Sequence, residues 1–402
     1  MTSGAARRVD LTVAHPLDPW QPGIGGYGTF IPDLIREAPR EWTIELIGVT
    51  RDPAARPVGR WLELRLANRP VRFFAAMADR SRGPRRIPLS LSFVLACRRH
   101  RVTPAGRSLH LHRFESALAF PRRDGQCRTL FLHADPVAQR RAESAGRWTG
   151  LGGFHDRLLL RVARSTDRVW CVDRGTPNWL DEKLPQRAGA HREIELWTAD
   201  EAFTPYGDDG EESSWRRRLE VTDGGAWITW AARQEPQKDP LWMVEGFARL
   251  AAAHRNLNLV MVGDGSLGGA VKARIRALGL ETRVRLPGAL PRVELASLLR
   301  TSRLFLCTSR YESGPFSVLE ALACGCPVVS ADVGRAREWL AAPGPAGRLI
   351  SERTAPALAR GIEEALVERD DLASRCGAIA KRYTLQRALE PVFAAEREPC
   401  AA

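Results

Sequence analysis

The segment 304–332 constrains the fold more than any other part of the chain, because it predicts a strand, a loop, a helix and a second strand in that order. Residues 304–308 form an apolar run typical of a parallel strand covered on both faces. Residues 309–316 have loop composition with a Gly-Pro break, and a helix is predicted from about Ser317. Glycine and proline then end that helix before the next strand. This pattern is typical of an open α/β sheet.

Two carboxylates in this segment are candidates for ligand binding. Open α/β sheets bind ligands beyond the carboxyl ends of their strands, where Glu312 lies, and Glu320 is expected in the first helical turn. Amides near Pro315, Phe316 and Ser317 suit a phosphate, and the carboxylates suit hydroxyl groups. Two alternatives stay open. The run from Ser317 to Glu320 also fits the S-x-x-E capping box, and Glu312 can be a solvated loop carboxylate.

The stretch Glu-Ser-Gly-Pro-Phe-Ser-Val-Leu-Glu-Ala-Leu-Ala-Cys-Gly-Cys-Pro-Val-Val, residues 312–329, matches a known pattern as a whole. It resembles the E-x7-E segment of retaining, metal-independent GT-B glycosyltransferases, particularly glycosyltransferase family 4. The resemblance implies that Glu312 contacts a donor sugar and Glu320 the nucleotide ribose. Many relatives have Gly after the first glutamate and a Gly-Phe-Gly loop, so the resemblance does not carry over a sugar preference. The loop expected to hold the donor comprises Gly314, Pro315, Phe316 and Ser317.

A basic motif precedes the segment 304–332. Arg233 and Lys238 follow the strand-like run 227–232 and resemble the family's R-x4-K pair. The resemblance implies contact with the donor diphosphate, where two fixed cations stabilise the charge that builds on the leaving phosphate without a metal. The alternative is a solvated charged loop. Lysine is rare among the 60 basic residues, which favours the functional reading of Lys238.

The N-terminal part contains a literal G-x-G-x-x-G at residues 23–28. A dinucleotide-binding turn would pass directly from strand to helix and would be followed by an acid at the end of the second strand. Here three prolines separate the loop from the strand-like run 9–14, and Glu45 lies inside the next strand. A glycine loop that lets the backbone approach phosphate or sugar fits better. The family resemblance places Gly25 and Gly26 facing the donor, and a structural turn remains the alternative.

Two histidines are predicted near strand ends. His112 ends the run 109–112, and His133 follows the strand-like run that starts at residue 129. An imidazole can donate to or accept from sugar hydroxyls, although a single histidine is more often simply packed. The resemblance favours His133 as the residue over the donor sugar, with His112 as an acceptor-side candidate.

Alternating strands and helices predict an α/β fold with a parallel sheet in each half of the chain. The family resemblance implies the GT-B architecture, with two Rossmann-like parallel-sheet domains facing across a cleft. The predicted domains are 1–205, which binds the acceptor, and 206–382, which binds the nucleotide sugar. Residues 205–214 lack apolar periodicity and mark the boundary. Residues 383–402 are expected to form a terminal helix that returns to the first domain.

Charge and cysteine content limit location and partners. The formal charge is +13, and ten arginines against the single acid Asp79 lie between Arg69 and Arg107, around an apolar segment at 87–97. This predicts contact with an anionic membrane surface or a phosphorylated acceptor, with an ordinary core helix as the alternative. Nucleic acid is not expected, because the segment is poor in aromatic residues and has no recognised motif.

The 8 cysteines are scattered without metal-site spacing and predict reduced cytosolic thiols. No run reaches the roughly 18 apolar residues of a membrane span, so a cytoplasmic protein, peripheral at the inner face of the membrane, is expected.

The family resemblance, taken with these features, implies a retaining hexosyltransferase that uses a nucleoside-diphosphate sugar and needs no cofactor or metal. The acceptor would be a glycan, a lipid-linked molecule or a small molecule, in cell-envelope or exopolysaccharide synthesis. Two alternatives remain: an NAD-dependent sugar-nucleotide dehydrogenase or epimerase, and a non-catalytic nucleotide-sugar binding protein.

Overall fold

A computed structural model describes residues 9–21, 27–79, 87–133, 135–136, 152–198, 201–221, 224–341 and 344–400. The chain divides into two compact units. Unit 1 comprises the described residues of Met1–Ala142, Gly146–Glu195 and Leu385–Ala402, and unit 2 is built from Leu196–Thr384.

Unit 1 contains an eight-stranded sheet in the order β3-β4-β2-β1-β5-β6-β7-β8. Its strands are β1 Val9–Ala14, β2 Ile44–Thr50, β3 Trp61–Leu66, β4 Arg69–Ala78, β5 Gly106–Leu111, β6 Cys127–Leu132, β7 Arg168–Cys171 and β8 His191–Glu193. Its helices are α1 Tyr27–Glu37, α2 Leu89–Arg99, α3 Gly152–Arg164, α4 Gly175–Lys183 and α13 Leu385–Arg397. Because β2, β5 and β6 carry almost only buried residues, the sheet is covered on both faces, as the continuous apolar runs predict.

One edge of this sheet departs from the predicted parallel arrangement. Strands β3 and β4 pair antiparallel, from Trp61 opposite Phe74 to Leu66 opposite Arg69. Ala67 and Asn68, which join them, both have positive φ (49° and 62°), as a two-residue hairpin turn requires. The sequence signal for this turn is weak, because Ala67 occupies a position where hairpin turns usually have glycine.

Unit 2 contains a six-stranded parallel sheet in the order β11-β10-β9-β12-β13-β14. Its strands are β9 Ala226–Ala231, β10 Leu257–Val262, β11 Val284–Gly288, β12 Phe305–Cys307, β13 Val328–Ala331 and β14 Gly347–Ile350. Its helices are α5 Glu211–Leu219, α6 Pro240–Ala251, α7 Gly268–Ala277, α8 Arg292–Thr301, α9 Phe316–Ala323, α10 Ala336–Leu340, α11 Ala355–Val367 and α12 Arg369–Ala380. Strand, loop, helix and strand thus follow one another through 304–332 in the predicted order.

The boundary of unit 2 lies earlier than the predicted residue 206. Thr198 donates its amide to the Tyr383 carbonyl at 2.7 Å, and the ring of Trp197 meets Phe316 edge-on at 5.6 Å. These contacts tie the segment from Leu196 onwards to unit 2. The stretch 205–214 is also less irregular than predicted, because α5 begins within it at Glu211.

The last helix, α13, belongs to unit 1. Its buried face includes Leu389, Val392 and Phe393, and Glu396 is fully buried. The Glu396 carboxylate accepts a hydrogen bond from Thr129 at 2.6 Å and lies 3.1 Å from His110 Nε2. A buried carboxylate held by two strands therefore anchors the end of the chain to the sheet.

The prediction that all cysteines are free thiols is wrong for two of them. Cys127, at the start of β6, and Cys400, after α13, form a disulfide with Cα atoms 5.6 Å apart. Their sequence separation is 273 residues, so no local spacing could announce the pair. The other six cysteines are free and buried.

No helix within the described ranges is long and apolar enough to cross a membrane.

Candidate functional site

The sheet of unit 2 brings two predicted residues together at its carboxyl edge. Strand β9 lies between β10 and β12, so the chain leaves β9 in one direction and returns beside it in the other. Such a reversal opens a crevice between the loops that follow the two central strands. Lys238 lies in the loop after β9, at the end of a short 3₁₀ turn Pro236–Lys238, and Glu312 lies in the loop after β12.

Lys238 and Glu312 form an ion pair between Nζ and Oε1. Ser309 donates its hydroxyl to the same carboxylate oxygen at 2.6 Å. The two side chains are only 20% and 10% exposed. The solvated-loop alternative for Glu312 is therefore wrong, because the carboxylate is largely buried and held by two donors.

Arg233 has a different setting from Lys238. It is exposed, and its guanidinium forms no hydrogen bond or ion pair within the part of the chain that the structure describes. Its loop is nevertheless held in place, since the Gln234 amide donates to the Asp264 carbonyl at 3.0 Å and Gln234 Nε2 donates to the Gly263 carbonyl at 2.8 Å. An exposed cation thus projects from an ordered loop.

A residue that the sequence analysis missed supports both loops. Arg353 follows β14 and donates to Asp239 Oδ2 at 2.8 Å and to the Ser309 carbonyl at 2.9 Å, with its guanidinium 4.2 Å from the Trp242 ring. Arg353 therefore links the turn that carries Lys238 to the loop that carries Glu312. Its place just after a strand's carboxyl end is the signal that sequence reasoning could have used.

Glu320 is not a capping residue. Helix α9 begins at Phe316 rather than Ser317, its N-cap is Pro315, and no side chain caps it, so Glu320 lies beyond the first turn. Its carboxylate instead pairs with Arg292 Nη1 at 3.0 Å, with side-chain exposures of 9% for Glu320 and 35% for Arg292. The capping-box alternative is therefore wrong.

Arg292 is the second residue that the sequence analysis missed. It is the first residue of α8, which follows β11, and its guanidinium lies 4.8 Å from the Phe203 ring centre. This cation–π contact and the pair with Glu320 hold the guanidinium beside the carboxylate. The signal available in the sequence was again a charged residue shortly after a parallel strand, here at the start of the following helix.

The loop before α9 supplies the predicted backbone environment. A Cβ added at Gly314 would overlap Leu196 Cδ1, so any side chain at this position would require Leu196 to move. The amides of Phe316 and Ser317 stand at the first two positions of α9, and the Val318 amide is already used by the Pro315 carbonyl at 3.0 Å. Amides in the first turn of a helix have no intrahelical acceptor and point out of its N-terminus, which is the arrangement that attracts an anion.

The carboxyl edge of the unit 1 sheet carries a cluster of histidines. His15 follows β1, His112 follows β5 and His133 follows β6, and these strands are neighbours through β5. His112 Nδ1 and His133 Nε2 are 3.0 Å apart. Both predicted histidines therefore lie at one place, in direct contact. Within the described residues no group of three or more side chains is arranged to hold a metal ion.

These imidazoles are neutral at ordinary pH. Burial, followed by the charge of Arg113, lowers the pKa of His133 to about 3. Burial and the neighbouring histidines hold the pKa of His112 well below its usual value. Burial and Arg113 have the same effect on the pKa of His15. A neutral ring offers one donor and one acceptor, which suits recognition of a hydroxyl group.

The glycine motif cannot be placed, because Gly25 and Gly26 lie outside the described residues. Glu45 lies near the amino end of β2 rather than at the carboxyl edge, and its carboxylate binds Arg72 Nη1 at 2.6 Å and Thr12 at 3.3 Å. This buried acid cannot serve the ribose of a dinucleotide at the carboxyl edge. The geometry disfavours the dehydrogenase alternative.

The architecture of both units decides the fold. The chain has two α/β units, each with a parallel-sheet core and with candidate ligand-binding loops at the carboxyl edge of its sheet. Solved structures of other proteins share this pattern. Sucrose-phosphate synthase from Thermosynechococcus elongatus has a TM-score of 0.78 at 17% identity and covers 97% of this chain and 98% of its own. HepE of Anabaena, solved in complex with UDP-glucose, has a TM-score of 0.70 at 16% identity and covers 96% and 100%. This chain has the GT-B fold.

Sequence comparisons also connect the C-terminal half of the chain with glycosyltransferases. Residues 211–383 match the family described as "Glycosyl transferases group 1". A D-inositol 3-phosphate glycosyltransferase of Jonesia denitrificans is 33% identical over 140 residues, which span 33% of this chain and 33% of that enzyme. A 2-deoxystreptamine N-acetyl-D-glucosaminyltransferase of Streptomyces fradiae is 26% identical over 70% of this chain and 63% of its own length.

Proposed function

We propose that this protein is a retaining glycosyltransferase that moves a hexosyl group from a nucleoside-diphosphate sugar to a glycan, lipid-linked or small-molecule acceptor, without a metal. The observation that carries the proposal is the Lys238–Glu312 pair at the crevice between the loops after β9 and β12. The match to group 1 glycosyl transferases and the UDP-glucose complex of a GT-B neighbour support it. Cell-envelope or exopolysaccharide synthesis is the proposed setting.

The proposed chemistry follows from charge development. As the glycosidic bond breaks, negative charge builds on the leaving diphosphate, and Lys238 and Arg233 stabilise it in the way a metal would. Lys238 is already positioned by Glu312, and the exposed Arg233 is the second cation proposed to contact the phosphate. The amides of Phe316 and Ser317 add a dipole contribution to anion binding.

The carboxylates and His133 position the sugar and ribose. Both contacts of Glu312 found in the described part of the chain fall on Oε1, so Oε2 is the acceptor proposed for a sugar hydroxyl. Glu320 accepts from the ribose, and His133 contacts the donor sugar. Gly25, Gly26 and His112 remain predicted contributors on the sugar and acceptor side.

The first experiment measures donor hydrolysis and transfer for Lys238→Ala and Arg233→Ala. Loss of a preorganised charge at the leaving group typically lowers kcat by about 10²–10³. Lys272→Ala, an exposed lysine on α7, is the matched control and should keep normal turnover. Near-normal turnover in both loop variants would remove the phosphate clamp.

A second set of measurements addresses the finer parts of the proposal. The anomeric configuration of the product, read by NMR, tests retention, and turnover in excess EDTA tests metal independence. Calorimetry with UDP, GDP, ADP and NADH tests the nucleotide. Tight NADH binding without nucleoside-diphosphate binding would contradict the proposal, and nucleotide binding with no transfer would favour a binding protein.

Attachment to an anionic membrane surface is proposed for the basic segment. Leu95 and Arg99 are exposed four positions apart on α2, and Leu95 is 58% exposed. Other arginines of the segment serve the fold: Arg69 donates to the Ala38 and Pro39 carbonyls, and Arg72 pairs with Glu45. Residues 80–86, with four more arginines, lie outside the described residues.

Vesicle co-sedimentation at low and high salt tests this attachment. Each arginine near an anionic surface contributes about 1 kcal/mol, so binding should weaken as salt rises. Leu95→Ser with Arg99→Ser should reduce it further. Equal sedimentation with neutral and anionic vesicles, or none with either, would assign the segment to the fold alone.

A further inference from the structure

The contact between His112 and His133 restricts where their protons can lie. The two rings are nearly parallel, with an interplanar angle of 25° and centroids 5.2 Å apart, and the Nδ1–Nε2 distance of 3.0 Å is that of a hydrogen bond. A hydrogen bond between two nitrogens needs one proton between them. One ring must therefore donate and the other must accept.

Both rings are held by aromatic neighbours that leave little freedom. Phe131 stacks on His112 with an interplanar angle of 3° at 4.5 Å. Phe30, from α1, meets His133 edge-on at 4.5 Å and His112 at 5.4 Å. This packing holds the planes of both rings in place, so neither side chain rotates freely.

The remaining nitrogen of His112 decides the direction of the bond. His112 Nε2 is buried and has no hydrogen-bond partner within the described residues. If the His112 proton were on Nε2, a buried N–H would be orphaned, which native structures avoid more strictly than an unsatisfied acceptor. The His112 proton therefore belongs on Nδ1, the nitrogen that faces His133.

We propose that His112 is a positioning residue that donates from Nδ1 to Nε2 of His133 and thereby holds His133 as the Nδ1–H tautomer. In that tautomer the acceptor nitrogen of His133 is occupied by His112, and its remaining nitrogen is a donor. The low pKa of both rings keeps each to one proton, so the pairing persists through neutral pH.

The functional consequence rests on the proposed function, in which His133 contacts the donor sugar. A histidine locked as an Nδ1–H donor offers the sugar a hydrogen-bond donor of fixed orientation. Loss of the His112 proton would let His133 adopt the other tautomer and turn that donor into an acceptor. In this proposal His112 therefore selects the tautomer of His133.

The first test reads tautomers directly. Two-bond ¹H–¹⁵N correlation spectra of the full chain, labelled at its 8 histidines, distinguish Nδ1–H from Nε2–H rings. His112→Asn and His133→Asn each remove one ring and assign the signals. We expect both rings as Nδ1–H in the wild type. An Nε2–H signal for His133 would overturn the proposal, whatever the activity.

The second test compares substitutions at His112 that keep or remove the donor. The amide of Asn reaches the position of Nδ1 and can donate, whereas Phe keeps the ring shape without any donor. His112→Phe should lower kcat roughly tenfold with donor KM unchanged, the effect of one hydrogen bond that acts in the transition state, and His112→Asn should restore most of it. His254→Asn, on an exposed histidine of unit 2, is the matched control and should change neither.

Failure of this proposal and failure of the proposed function give different results. A folded His112→Phe variant with wild-type kcat, or one with only a raised KM, would overturn the positioning role. Equal losses of kcat in the Phe and Asn variants would do the same, because packing rather than donation would then matter. If His133→Asn kept full activity while the tautomer was as expected, the contact would stand and the role of His133 in the proposed reaction would fail.

Discussion

Each carboxylate of unit 2 that we propose to bind the donor is paired with a cationic side chain. A ligand hydroxyl must therefore bind beside that cation. Glu312 pairs with Lys238, and Glu320 pairs with Arg292. A carboxylate has about four acceptor sites, so a partner on one oxygen does not prevent a hydroxyl from binding to the other. An ionised carboxylate is a stronger hydrogen-bond acceptor than a neutral amide oxygen.

Glu320→Gln separates a ligand role from a structural one. Since Glu320 does not cap α9, the substitution removes the charge without removing a cap. We expect donor KM to rise about fivefold, because a charged acceptor exceeds a neutral amide by roughly 1 kcal/mol. Steady-state kinetics with a donor titration and a thermal unfolding scan measure both effects.

The matched control for Glu320 is another buried arginine–glutamate pair in unit 2. Glu211 binds Arg300 through Oε1 at 2.5 Å, with both side chains less than one-fifth exposed. Glu211→Gln should lower Tm and leave donor KM unchanged. If the two variants change KM equally, or Glu320→Gln leaves it unchanged, Glu320 has no contact with the donor.

At the scale of an element, α13 shows how a terminal helix is held by one charged residue. Burial by itself opposes ionisation of Glu396, but the charge and hydrogen bond of His110 and hydrogen bonds from Ser108 and Thr129 outweigh it and lower its pKa to about 2. The ordinary value is 4.5, so folding favours the ionised form. This stabilisation is complete above about pH 4.5 and is lost as the pH falls toward 2.

Glu396→Gln should therefore destabilise the protein near neutral pH and make less difference in acid. The linkage corresponds to a loss on the order of 3 kcal/mol at pH 7, which shrinks between pH 5 and pH 3. Urea unfolding of wild type and variant across this range measures it. Glu398→Gln, on an exposed neighbour, should follow the wild type. A constant difference between Glu396→Gln and wild type at every pH would contradict the assigned pKa.

The disulfide adds a second attachment at the same end of the chain. Cross-linking Cys127 to Cys400 restricts the unfolded chain over a separation of 273 residues. We expect reductant to lower the free energy of unfolding by about 2–5 kcal/mol. Cys400→Ser should start at the reduced value and show no response to reductant. An identical Tm for the wild type with and without reductant would show that the bond contributes nothing to stability.

At the scale of the whole molecule, each unit has its own core, and the chain crosses from unit 2 back to unit 1 at Leu385. The buried face of α13 fills part of the unit 1 core. Its removal leaves apolar surface exposed on that unit alone. The two units should therefore respond differently to one truncation.

Removal of residues 385–402 should lower hydrogen-exchange protection in β5 and β6 and leave β9 and β10 unchanged. Leu389, Val392 and Phe393 each bury a large side chain, worth about 1.5–3 kcal/mol apiece. Mass-spectrometric exchange of the truncated and full chains measures protection by segment. Cys400→Ser controls for loss of the disulfide. Equal deprotection of β9 and β6 would contradict the assignment of α13 to unit 1.

The sequence alone determined features that depend on local patterns. The first strand, Val9–Ala14, was predicted residue for residue, and a terminal helix was predicted within residues 383–402, where α13 spans Leu385–Arg397. The strand, loop, helix and strand of 304–332 were also predictable, because buried parallel strands are continuous apolar runs and glycine and proline end helices. The alternation of strands and helices predicted α/β sheets, and the family resemblance of that segment implied the GT-B fold. The roles of Glu312 and Glu320 remain predictions.

The tertiary structure alone decided which residues meet. Arg292 lies 28 residues before Glu320, yet it pairs with the carboxylate that the local S-x-x-E pattern would assign to a helix cap. Cys127 bonds to Cys400 because α13 packs back on unit 1. His112 contacts His133 because β5 and β6 are neighbours in the sheet. A short motif predicts only its local backbone conformation, whereas contacts between residues on different strands depend on strand order. Strand order is set by the packing of the whole sheet, which no single segment encodes.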